Sequence, residues 1–485
     1  MTEKENVRYI VEIEQKYPVE KWVVNGQHVW PIIRSEITVY NRRYYRATSN
    51  SNININSFKR IFLTAKSLLK FSMYNFIKKE QKDVLILHDN LDRNIKLKDG
   101  TFYDKVLDPI YDLLKQENIS ILNLEEPMNG DNKPYGEVTS LEIILIIIRI
   151  INKVSRQKGT VQLSRYEEFM RDIPAELSAN LSIDKLQHNI GLINRISKFM
   201  AWLLKKHDVK LVIFECWYGT YRYALSMACK RLGIKSIDIQ HGRAGGTGQE
   251  FYSSWTKFPE NSNYEIIPDV FWTWTESDKQ AIDDWNTNNI IVYNGGKPIF
   301  NTLNKIRNLV DLSAMKKIDK SKPVILFTVQ PGNIYPDWLV QYIKDSSEQY
   351  IWVLRYHLPL DNLQQLFVSK FTHQKNVYIN GMECILLELL LSECDVHITM
   401  SSSVIVDAAM MNKPSIMLNR KFISTFDEYL ANGICCVANN TDELDSAIRR
   451  MLNTNMSNTR TRYITNADKN INFIKSLMEQ NSYDL

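Results

Sequence analysis

Short apolar segments that end in polar residues recur along this chain, with helical segments between them. Residues 83–89 (DVLILHD) and 209–215 (VKLVIFE) are nearly continuous apolar runs, and residues 323–329 (PVILFTV) repeat the pattern much later. Strands of this kind are buried on both faces, which is typical of parallel sheets covered by helices. The alternation of such strands with helices therefore predicts doubly wound α/β domains.

The length of the chain predicts more than one such domain. At 485 residues it exceeds what a single hydrophobic core usually supports. We expect two Rossmann-like parallel-sheet domains that face a cleft, the first at residues 83–296 and the second at residues 322–456. The remaining parts are an N-terminal cap with a basic amphipathic helix (1–82), an interdomain linker (297–321) and a C-terminal helix (457–485) expected to pack back on the first domain.

Composition places the chain among soluble globular proteins. Its hydrophobic content is 44% and its charged content 24%. The net charge of +5, from 60 basic and 55 acidic residues, does not indicate a nucleic-acid binder. The six cysteines show no CxxC pairing, so we interpret them as buried thiols in a reducing compartment. Because the N-terminus shows no secretion signal, we expect a cytoplasmic protein.

Two further segments bear on membrane contact. The apolar run from Ile143 to Ile148 is far shorter than the ~20 residues that span a bilayer, so it predicts a buried helix. In residues 57–79, apolar and basic residues interleave at roughly helical spacing. Such a helix can lie on an anionic membrane face, here the inner face of the cell membrane. An ordinary surface helix packed on its own domain explains the same pattern.

Residues 395–418 (DVHITMSSSVIVDAAMMNKPSIML) read as a strand, a tight turn, a helix and the next strand. Ser401, Ser402 and Ser403 form the turn, because serine hydroxyls favour the start of a helix over its interior. Free N–H groups, hydroxyls and the positive end of the helix dipole would converge there, which suits a phosphate or pyrophosphate. A plain capped helix in an α/β sheet accounts for the segment equally well.

Polar residues also end the strands of the first domain, where ligands of doubly wound sheets bind. The candidate catalytic residues there are Glu215, Asp238 and His241. Histidine titrates near neutral pH, so His241 could take a proton from a hydroxyl group. Glu215 or Asp238 could be the base instead. Glu215 follows an apolar strand, where partial burial would raise the pKa of its carboxyl group.

Candidate donor-binding residues follow the strands of the second domain: Gln330, Gly332, Arg355 and His357. Together with Lys413 and the helix start at Ser403, the basic side chains could stabilise a departing phosphate without a metal ion. The adjacent carboxylates Asp283 and Asp284 lie in a helical stretch rather than in a metal-binding loop. We therefore expect no metal site and no cofactor.

The layout and three local motifs resemble glycosyltransferases of the GT-B fold, in particular bacterial capsule, Kdo and CDP-glycerol transferases. The motifs are IDIQHG with His241, LRYHLP with Arg355 and His357, and SSSVIVDAA with Ser401, Ser402, Ser403 and Asp407. The resemblance implies that His241 is the base, and that His357 and the serines hold the donor's phosphate. It implies a donor contact for Asp407, where the family usually has glutamate. The family's histidine–proline pair is interrupted here by Leu358.

The resemblance implies a transferase that moves a sugar from a nucleotide donor, in particular a CMP- or CDP-linked one, to a cell-surface glycan. A nucleotide-sugar epimerase of the same architecture is the second hypothesis. It would require several acidic residues around the sugar ring, and only Glu215 and Asp238 are obvious. A third hypothesis is a binding subunit that kept the fold without the chemistry.

Overall fold

The computed structural model describes residues 3–46, 80–89, 93–126, 133–155, 159–242, 251–252, 254–260, 262–286, 290–356, 361–420, 423, 426–454 and 466–480. Its strands are β1 (Val23–Val24), β2 (Gln27–His28), β3 (Val84–His88), β4 (Arg93–Lys96), β5 (Thr101–Asp104), β6 (Ile121–Glu125), β7 (Lys133–Pro134), β8 (Thr139–Ser140), β9 (Val161–Gln162), β10 (Leu211–Glu215), β11 (Lys235–Ile239), β12 (Val270–Thr273), β13 (Ile291–Asn294), β14 (Val324–Val329), β15 (Ile351–Tyr356), β16 (Val377–Tyr378), β17 (Val396–Thr399), β18 (Ser415–Met417) and β19 (Cys435–Val437). Its α-helices are α1 (Glu3–Lys16), α2 (Trp30–Arg46), α3 (Leu107–Gln116), α4 (Glu142–Val154), α5 (Tyr166–Asp172), α6 (Ala175–Asn180), α7 (Ile183–His207), α8 (Thr220–Leu232), α9 (Glu276–Asp283), α10 (Ile299–Leu309), α11 (Asp337–Asp345), α12 (Asn362–Ser369), α13 (Leu387–Glu393), α14 (Val404–Met410), α15 (Asp427–Ala431), α16 (Thr441–Leu452) and α17 (Ala467–Gln480).

The first large sheet has seven strands in the order β13-β12-β11-β10-β3-β6-β8, and its strand pairs are parallel. Strand β3 comes first in the chain among these strands, yet it lies between β10 and β6. The chain therefore winds outward from β3 in both directions. The carboxyl ends of β3 and β10 form the topological switch point of this sheet, where ligands usually bind.

The second large sheet has six parallel strands in the order β16-β15-β14-β17-β18-β19. Its first strand, β14, lies between β15 and β17, so the switch point falls between β14 and β17. Thr328 of β14 pairs with Thr399 of β17 next to it. The predicted α/β class with two parallel sheets flanked by helices is confirmed.

The N-terminal cap shares its core with the first sheet. Trp22 and Trp30 are fully buried and belong to the same apolar cluster as Leu85 of β3. The buried Glu14 carboxylate pairs with Arg34 and accepts hydrogen bonds of 2.8 Å from Trp30 Nε1 and from the Thr256 backbone N–H. These bonds tie the cap to the first domain. The predicted amphipathic helix at 57–79 lies outside the described residues.

Residues 297–321, predicted to be the interdomain linker, contain helix α10. Ile299 and Ile306 of this helix are buried, and with Val310 they join an apolar cluster that includes Tyr103 of β5 and Leu326 of β14. The cluster therefore connects the second large sheet to β5 of the first domain, which pairs with β4 and β7 outside the seven-stranded sheet. The few apolar residues of this segment are spaced so that they share one helix face. The segment as a whole is polar, so its composition alone does not indicate a buried helix.

The C-terminal helix α17 packs against the first sheet. Phe473 stacks on Tyr293 of β13 with ring centroids 3.7 Å apart. Asn470 Nδ2 donates to the Gly295 carbonyl at 2.9 Å, and Lys475 pairs with Glu117 at 2.7 Å. The end of the chain thus covers the edge strand from which the connection to the second sheet departs.

Two predictions about buried residues need correction. Ile143 and Leu145 of α4 are buried as expected, but its later apolar residues are exposed: Ile147, Ile150, Ile151 and Val154. Consecutive apolar residues point all around a helix, and only one side of α4 meets the protein. Among the cysteines, four are buried, but Cys384 is exposed and Cys216 is half-buried. None of the described helices has the length and apolarity needed to cross a membrane.

Candidate functional site at two sheet edges

Parallel pairing gathers polar side chains at the carboxyl edge of the first sheet. Strands β3, β10 and β11 lie side by side in register, with Leu87 beside Phe214 and Glu215 beside Ile239. The residues that follow these strands are therefore brought together although they are far apart in sequence. The predicted catalytic residues Glu215, Asp238 and His241 all lie at this edge.

His241 and Glu215 form a close pair. His241 Nδ1 lies 3.1 Å from Glu215 Oε2, and the histidine side chain is 36% exposed while the glutamate is fully buried. Burial opposes protonation of the ring, but the Cys216 thiol and the Glu215 carboxylate together hold the pKa of His241 well above its usual range. The sequence predicted titration near neutral pH. The surroundings instead favour the imidazolium form.

Cys216 turns the chain at the end of β10. Its backbone has φ of 55°, a left-handed conformation that is uncommon for a residue other than glycine. Burial raises the pKa of its thiol, and the neighbouring His241 opposes that rise. Sequence analysis classed Cys216 with the buried structural thiols and missed its position next to the histidine–glutamate pair. A backbone kept in a sparsely populated region often marks a functional position.

Asp238 is fully buried within β11. It accepts hydrogen bonds from the Trp217 backbone N–H at 3.0 Å and from the Tyr252 hydroxyl at 2.8 Å. Burial nevertheless raises the pKa of Asp238 to about 8, so at neutral pH its protonated form predominates. Both bonds fix its position beneath the edge residues.

Arg222 links carboxylates from several strand ends, and sequence analysis missed it. It extends from α8, pairs with Glu126 after β6, lies 3.5 Å from Asp89 after β3, and donates from Nε to the Glu215 carbonyl at 3.2 Å. Burial would lower the pKa of Arg222, but Glu126 and Asp89 raise it. Burial raises the pKa of Glu126 to about 7, although Arg222 opposes the rise. The first edge thus holds a carboxyl group able to exchange a proton near neutral pH.

The serine turn lies at the switch point of the second sheet. Gln330, which follows β14, accepts hydrogen bonds at its Oε1 from the Ser401 backbone N–H at 2.8 Å and from the Thr399 hydroxyl at 3.1 Å. Ser402 Oγ accepts from the Val404 backbone N–H at 3.3 Å. Ser403 occupies the position before α14, is exposed and makes no capping bond with its side chain. The amide of Gln330 therefore fixes the turn, and Ser402 is the serine that caps the helix.

The other predicted donor-binding residues have different surroundings. The Gly332 backbone N–H donates to Asp361 Oδ2 at 2.5 Å. Arg355 is half-buried at the end of β15, and its Nε donates to the Ile385 carbonyl at 3.3 Å. His357 lies outside the described residues. The prediction for Lys413 was wrong: it follows the far end of α14 and donates to the Cys394 carbonyl at 2.6 Å, just before β17 begins.

A buried charge cluster joins the two sheets. Lys297, three residues after the end of β13, pairs with Asp407 of α14 and lies 2.9 Å from Glu388 of α13. All three side chains are at most 9% exposed. Burial would lower the pKa of Lys297, but the two carboxylates raise it, and Lys297 lowers the pKa of Glu388 to about 2 against the effect of burial. Asp407, expected to contact a donor, is therefore engaged by a lysine from the first domain's last turn.

No group of three or more His, Cys, Asp or Glu side chains in the described part of the chain is arranged to hold a metal ion. The neighbouring carboxylates Asp283 and Asp284 pair within and just after α9, the first with Lys279 and the second with Gln280 at 2.7 Å. His397 in β17 is fully buried between the hydroxyls of Thr328 and Ser415, and burial lowers its pKa to about 3.

No protein-family model and no curated protein matches this sequence. Among solved structures, a UDP-N-acetylglucosamine 2-epimerase is similar at 13% identity and a TM-score of 0.52, over 84% of this chain and 97% of its own. The calicheamicin glycosyltransferase CalG4 is similar at 9% identity and a TM-score of 0.48, over 82% and 99%. The wall teichoic acid polymerase TagF is similar at 11% identity and a TM-score of 0.47, over 89% and 100%. At such identities the likeness concerns the fold, which is two Rossmann-like domains of GT-B type as the motifs predicted.

Proposed function

We propose that this chain is a glycosyltransferase that moves a sugar, or a sugar-like unit, from a nucleotide donor to a bacterial cell-surface glycan. The observation that carries the proposal is the 3.1 Å contact between His241 Nδ1 and Glu215 Oε2 at the carboxyl edge of the first sheet. A histidine oriented by a buried carboxylate is an effective general base. Attack by a hydroxyl group requires such a base.

In the proposed reaction the acceptor oxygen bonds to the anomeric carbon while the bond from that carbon to the donor's phosphate oxygen breaks. His241 takes the hydroxyl proton, and the electron pair of the broken bond leaves with the nucleotide. Glu215 stabilises the imidazolium that forms, because it faces Nδ1. The raised pKa of His241 strengthens it as a base but leaves less of the base form at neutral pH.

The donor's phosphates are assigned to the second switch point. Gln330 fixes the backbone around Ser401, and the hydroxyls of residues 401–403 are next to it. Arg355 adds a half-buried positive charge at the end of the neighbouring strand, and His357 follows two residues later. Fixed N–H groups and positive charge stabilise a departing phosphate. Gly332 completes this set of proposed contacts, and Asp407 is proposed to act by holding Lys297 beside the serine helix.

We propose that these groups supply the charge that a metal ion supplies in other transferases, and that no cofactor takes part. Turnover should then persist in the presence of a chelator. A CMP- or CDP-linked donor is the first choice for assay, on the basis of the serine and histidine motifs. Loss of turnover on chelation, restored by added magnesium, would contradict this part of the proposal.

The test uses the purified chain with CMP-, CDP-, UDP- and GDP-linked donors. We expect one nucleotide to raise the melting temperature, and the nucleotide to be released once an acceptor glycan is added. His241→Ala should abolish release while the thermal shift by donor is kept. His28→Ala is the matched control. His28 belongs to the cap, and its Nδ1 lies 3.1 Å from Glu265 Oε1, so it forms a similar histidine–glutamate pair away from the strand ends. Normal turnover by the His241 variant, or no shift with any donor, would refute the assignment.

A nucleotide-sugar epimerase is the second candidate, and the pKa of Glu126 favours it. The first edge holds the carboxyl groups of Asp89 and Glu126 beside Arg222, in addition to those of Glu215 beside His241 and of Asp238, which is more acidic groups than the sequence suggested. Epimerisation needs one group to remove a ring proton and another to return a proton to the opposite face. In heavy water without acceptor, an epimerase would place deuterium in the sugar and release no nucleotide. A transferase would leave the donor sugar unlabelled.

The proposed acceptor is a glycan or lipid-linked glycan, with the enzyme at the inner face of the cell membrane and no nucleic-acid partner. Residues 57–79 are the proposed contact with that membrane. Deleting them should move the protein from the membrane to the soluble fraction of a cell lysate. A parent protein found wholly in the soluble fraction would contradict the proposed location.

A further inference from the structure

Helix α4 has an apolar stripe that no described part of the chain covers. Ile147, Ile150, Ile151 and Val154 are 46%, 59%, 46% and 80% exposed. Their spacing of three, four and seven residues places them on one face of the helix. Single exposed apolar residues are common, but a continuous stripe on one helix indicates a contact surface.

The charges on the exposed side of α4 are positive. Lys153 is exposed beside the stripe, whereas Arg149 projects away from it and lies over the ring of Tyr221 at 5.6 Å; Glu142 in the first turn is buried. The exposed part of this helix therefore combines branched apolar side chains with a basic one. This is the composition of a helix that rests in the interface of an anionic bilayer.

Helix α7 adds an aromatic residue and further basic residues on the same side of the domain. Asn152 of α4 donates to the His188 carbonyl at 3.1 Å, and Arg195 reaches Ser155 at 2.6 Å, so α4 covers the middle of α7. Lys198 and Trp202 follow Arg195 at helical spacing, so they lie on the same face of α7, past the part that α4 covers.

That uncovered end of α7 is amphipathic. Trp202 is 46% exposed, and Lys206 Nζ lies 5.0 Å from the centroid of its ring. Lys198 and Lys205 are exposed on either side of it. Within α4 and α7 the only exposed acidic residue is Asp184, in the first turn of α7. Tryptophan between lysines is typical of the headgroup level of a membrane.

We propose that the stripe of α4, together with Lys198, Trp202 and Lys205 of α7, docks on an anionic lipid surface. Charge decides between this occupant and others. A second copy of the chain would bring its own Lys153, Lys198 and Lys205 against these same lysines. Residues 57–79 would also bring positive charge, since this segment contains six basic residues: Lys59, Arg60, Lys66, Lys70, Lys78 and Lys79. Anionic lipid satisfies both the charge and the apolar area.

The surface lies beside the place where that basic segment joins the described structure. The carbonyl of Glu80 lies 2.8 Å from His207 Nδ1, and the Lys82 N–H donates to the His207 carbonyl at 2.8 Å. His207 is the last residue of α7 and directly follows Lys205 and Lys206. The docking surface and the basic segment are therefore neighbours along the chain path, and they act on the same kind of partner.

The test is sedimentation of the full chain with vesicles of phosphatidylcholine alone and of phosphatidylcholine mixed with phosphatidylglycerol. We expect binding to the mixed vesicles only, weakened by salt. Ile150→Glu combined with Val154→Glu should lower the partition coefficient by about tenfold or more. Leu366→Glu, on an exposed position of α12 in the second domain, is the matched control and should bind like the parent.

A second variant keeps the test independent of the apolar stripe. Lys198→Glu with Lys205→Glu changes only exposed charges and should weaken binding to mixed vesicles to a similar extent. Unchanged binding by the α4 variant, or equal loss with Leu366→Glu, would overturn the proposal. A parent that binds neither vesicle, or one that forms a dimer dissociated by the α4 substitutions, would overturn it as well. Circular dichroism of each variant shows whether it is folded.

Discussion

Replacing Lys297 with methionine tests the charge cluster that joins the two sheets. Lys297 is 1% exposed and is the cation that both Glu388 and Asp407 contact. Methionine has similar length and no charge, so the substitution removes the pairing without leaving a large cavity. Two buried carboxylates would then face each other near the serine helix. In the folded variant, these two carboxyl groups must either remain charged without a partner or become protonated.

Removing one partner of a buried ion pair costs about 3–5 kcal/mol, because the remaining charge loses its compensation. At about 2–4 °C for each kcal/mol in a domain of this size, the melting temperature of Lys297→Met should fall by roughly 6–20 °C. The loss depends on pH. In the variant, burial holds the pKa values of both carboxyl groups above their ordinary values, so the penalty is present at higher pH and decreases as they become protonated at lower pH. In the parent, the pKa of Glu388 is about 2, so its favourable contribution remains until much lower pH.

The assay is thermal unfolding of parent and variant across a range of pH. Lys279→Met is the matched control, because Lys279 pairs with Asp283 on the surface of α9, where such pairs contribute about 0.2–1 kcal/mol. The triple variant with Glu388→Gln and Asp407→Asn should recover much of the stability, since no buried charge is left unpaired. A Lys297 variant that melts like the Lys279 control, or a melting difference that widens as the pH falls, would refute the argument.

Three further predictions concern other parts of the molecule. If His241 is the base, kcat/KM should rise as the pH increases through the raised pKa of His241. Glu215→Gln should shift that rise to lower pH, because the variant has no carboxylate to stabilise the imidazolium. A pH–rate profile that Glu215→Gln leaves unchanged would contradict this role. Because the pKa of Asp238 is about 8 in the folded chain and 3.8 ordinarily, its contribution to stability decreases as the pH rises between these values, and thermal unfolding of Asp238→Asn should show a flatter pH dependence than that of the parent. Gly295→Ala should lower the free energy of unfolding by about 1–3 kcal/mol, because the added Cβ would lie 2.1 Å from Trp272 Cε2. Gly219→Ala is the control, because its Cβ would lie 3.7 Å from the nearest atom, and denaturant unfolding should show a much smaller loss of stability.

The positions of the strands could be predicted because the strands of a parallel sheet have a recognisable local sequence pattern. Strands β3, β10 and β14 are buried along their whole length, so they consist of nearly continuous apolar residues. Their carboxyl ends are equally visible, since a polar residue follows the run. This is why His241, Glu215 and Gln330 could be proposed without a structure. Their neighbours in the sheet follow from the alternation of strands and helices.

The partners of those residues could not be predicted in the same way. Arg222 is 96 positions from Glu126, and Lys297 is 110 positions from Asp407. Only the order of strands in the folded sheets brings them together, and no local pattern distinguishes Arg222 from the other basic residues of α8. Helix α4 shows the complementary problem. Its apolar residues surround the helix, so its sequence does not reveal which side meets α7.

The distribution of charge bears on our proposal that the donor's phosphates bind at the second sheet edge and the reacting hydroxyl at the first. At the first edge, Arg222 lies between the carboxyl groups of Asp89 and Glu126, and the Glu215 carboxylate pairs with His241. Both of these cations are already engaged by carboxyl groups, so a diphosphate placed there would compete with the carboxylates in a poorly hydrated setting, which is unfavourable. At the second edge Lys297 pairs with Glu388 and Asp407, and burial raises the pKa of Asp407, which favours its neutral form. The serine turn adds hydroxyl groups, of which that of Ser403 belongs to an exposed residue. In the proposed reaction a neutral sugar hydroxyl meets no such competition at the first edge, where His241 is the proposed base. The two sheets can therefore divide one reaction between them, provided that the ion pairs of Lys297 hold their edges in register.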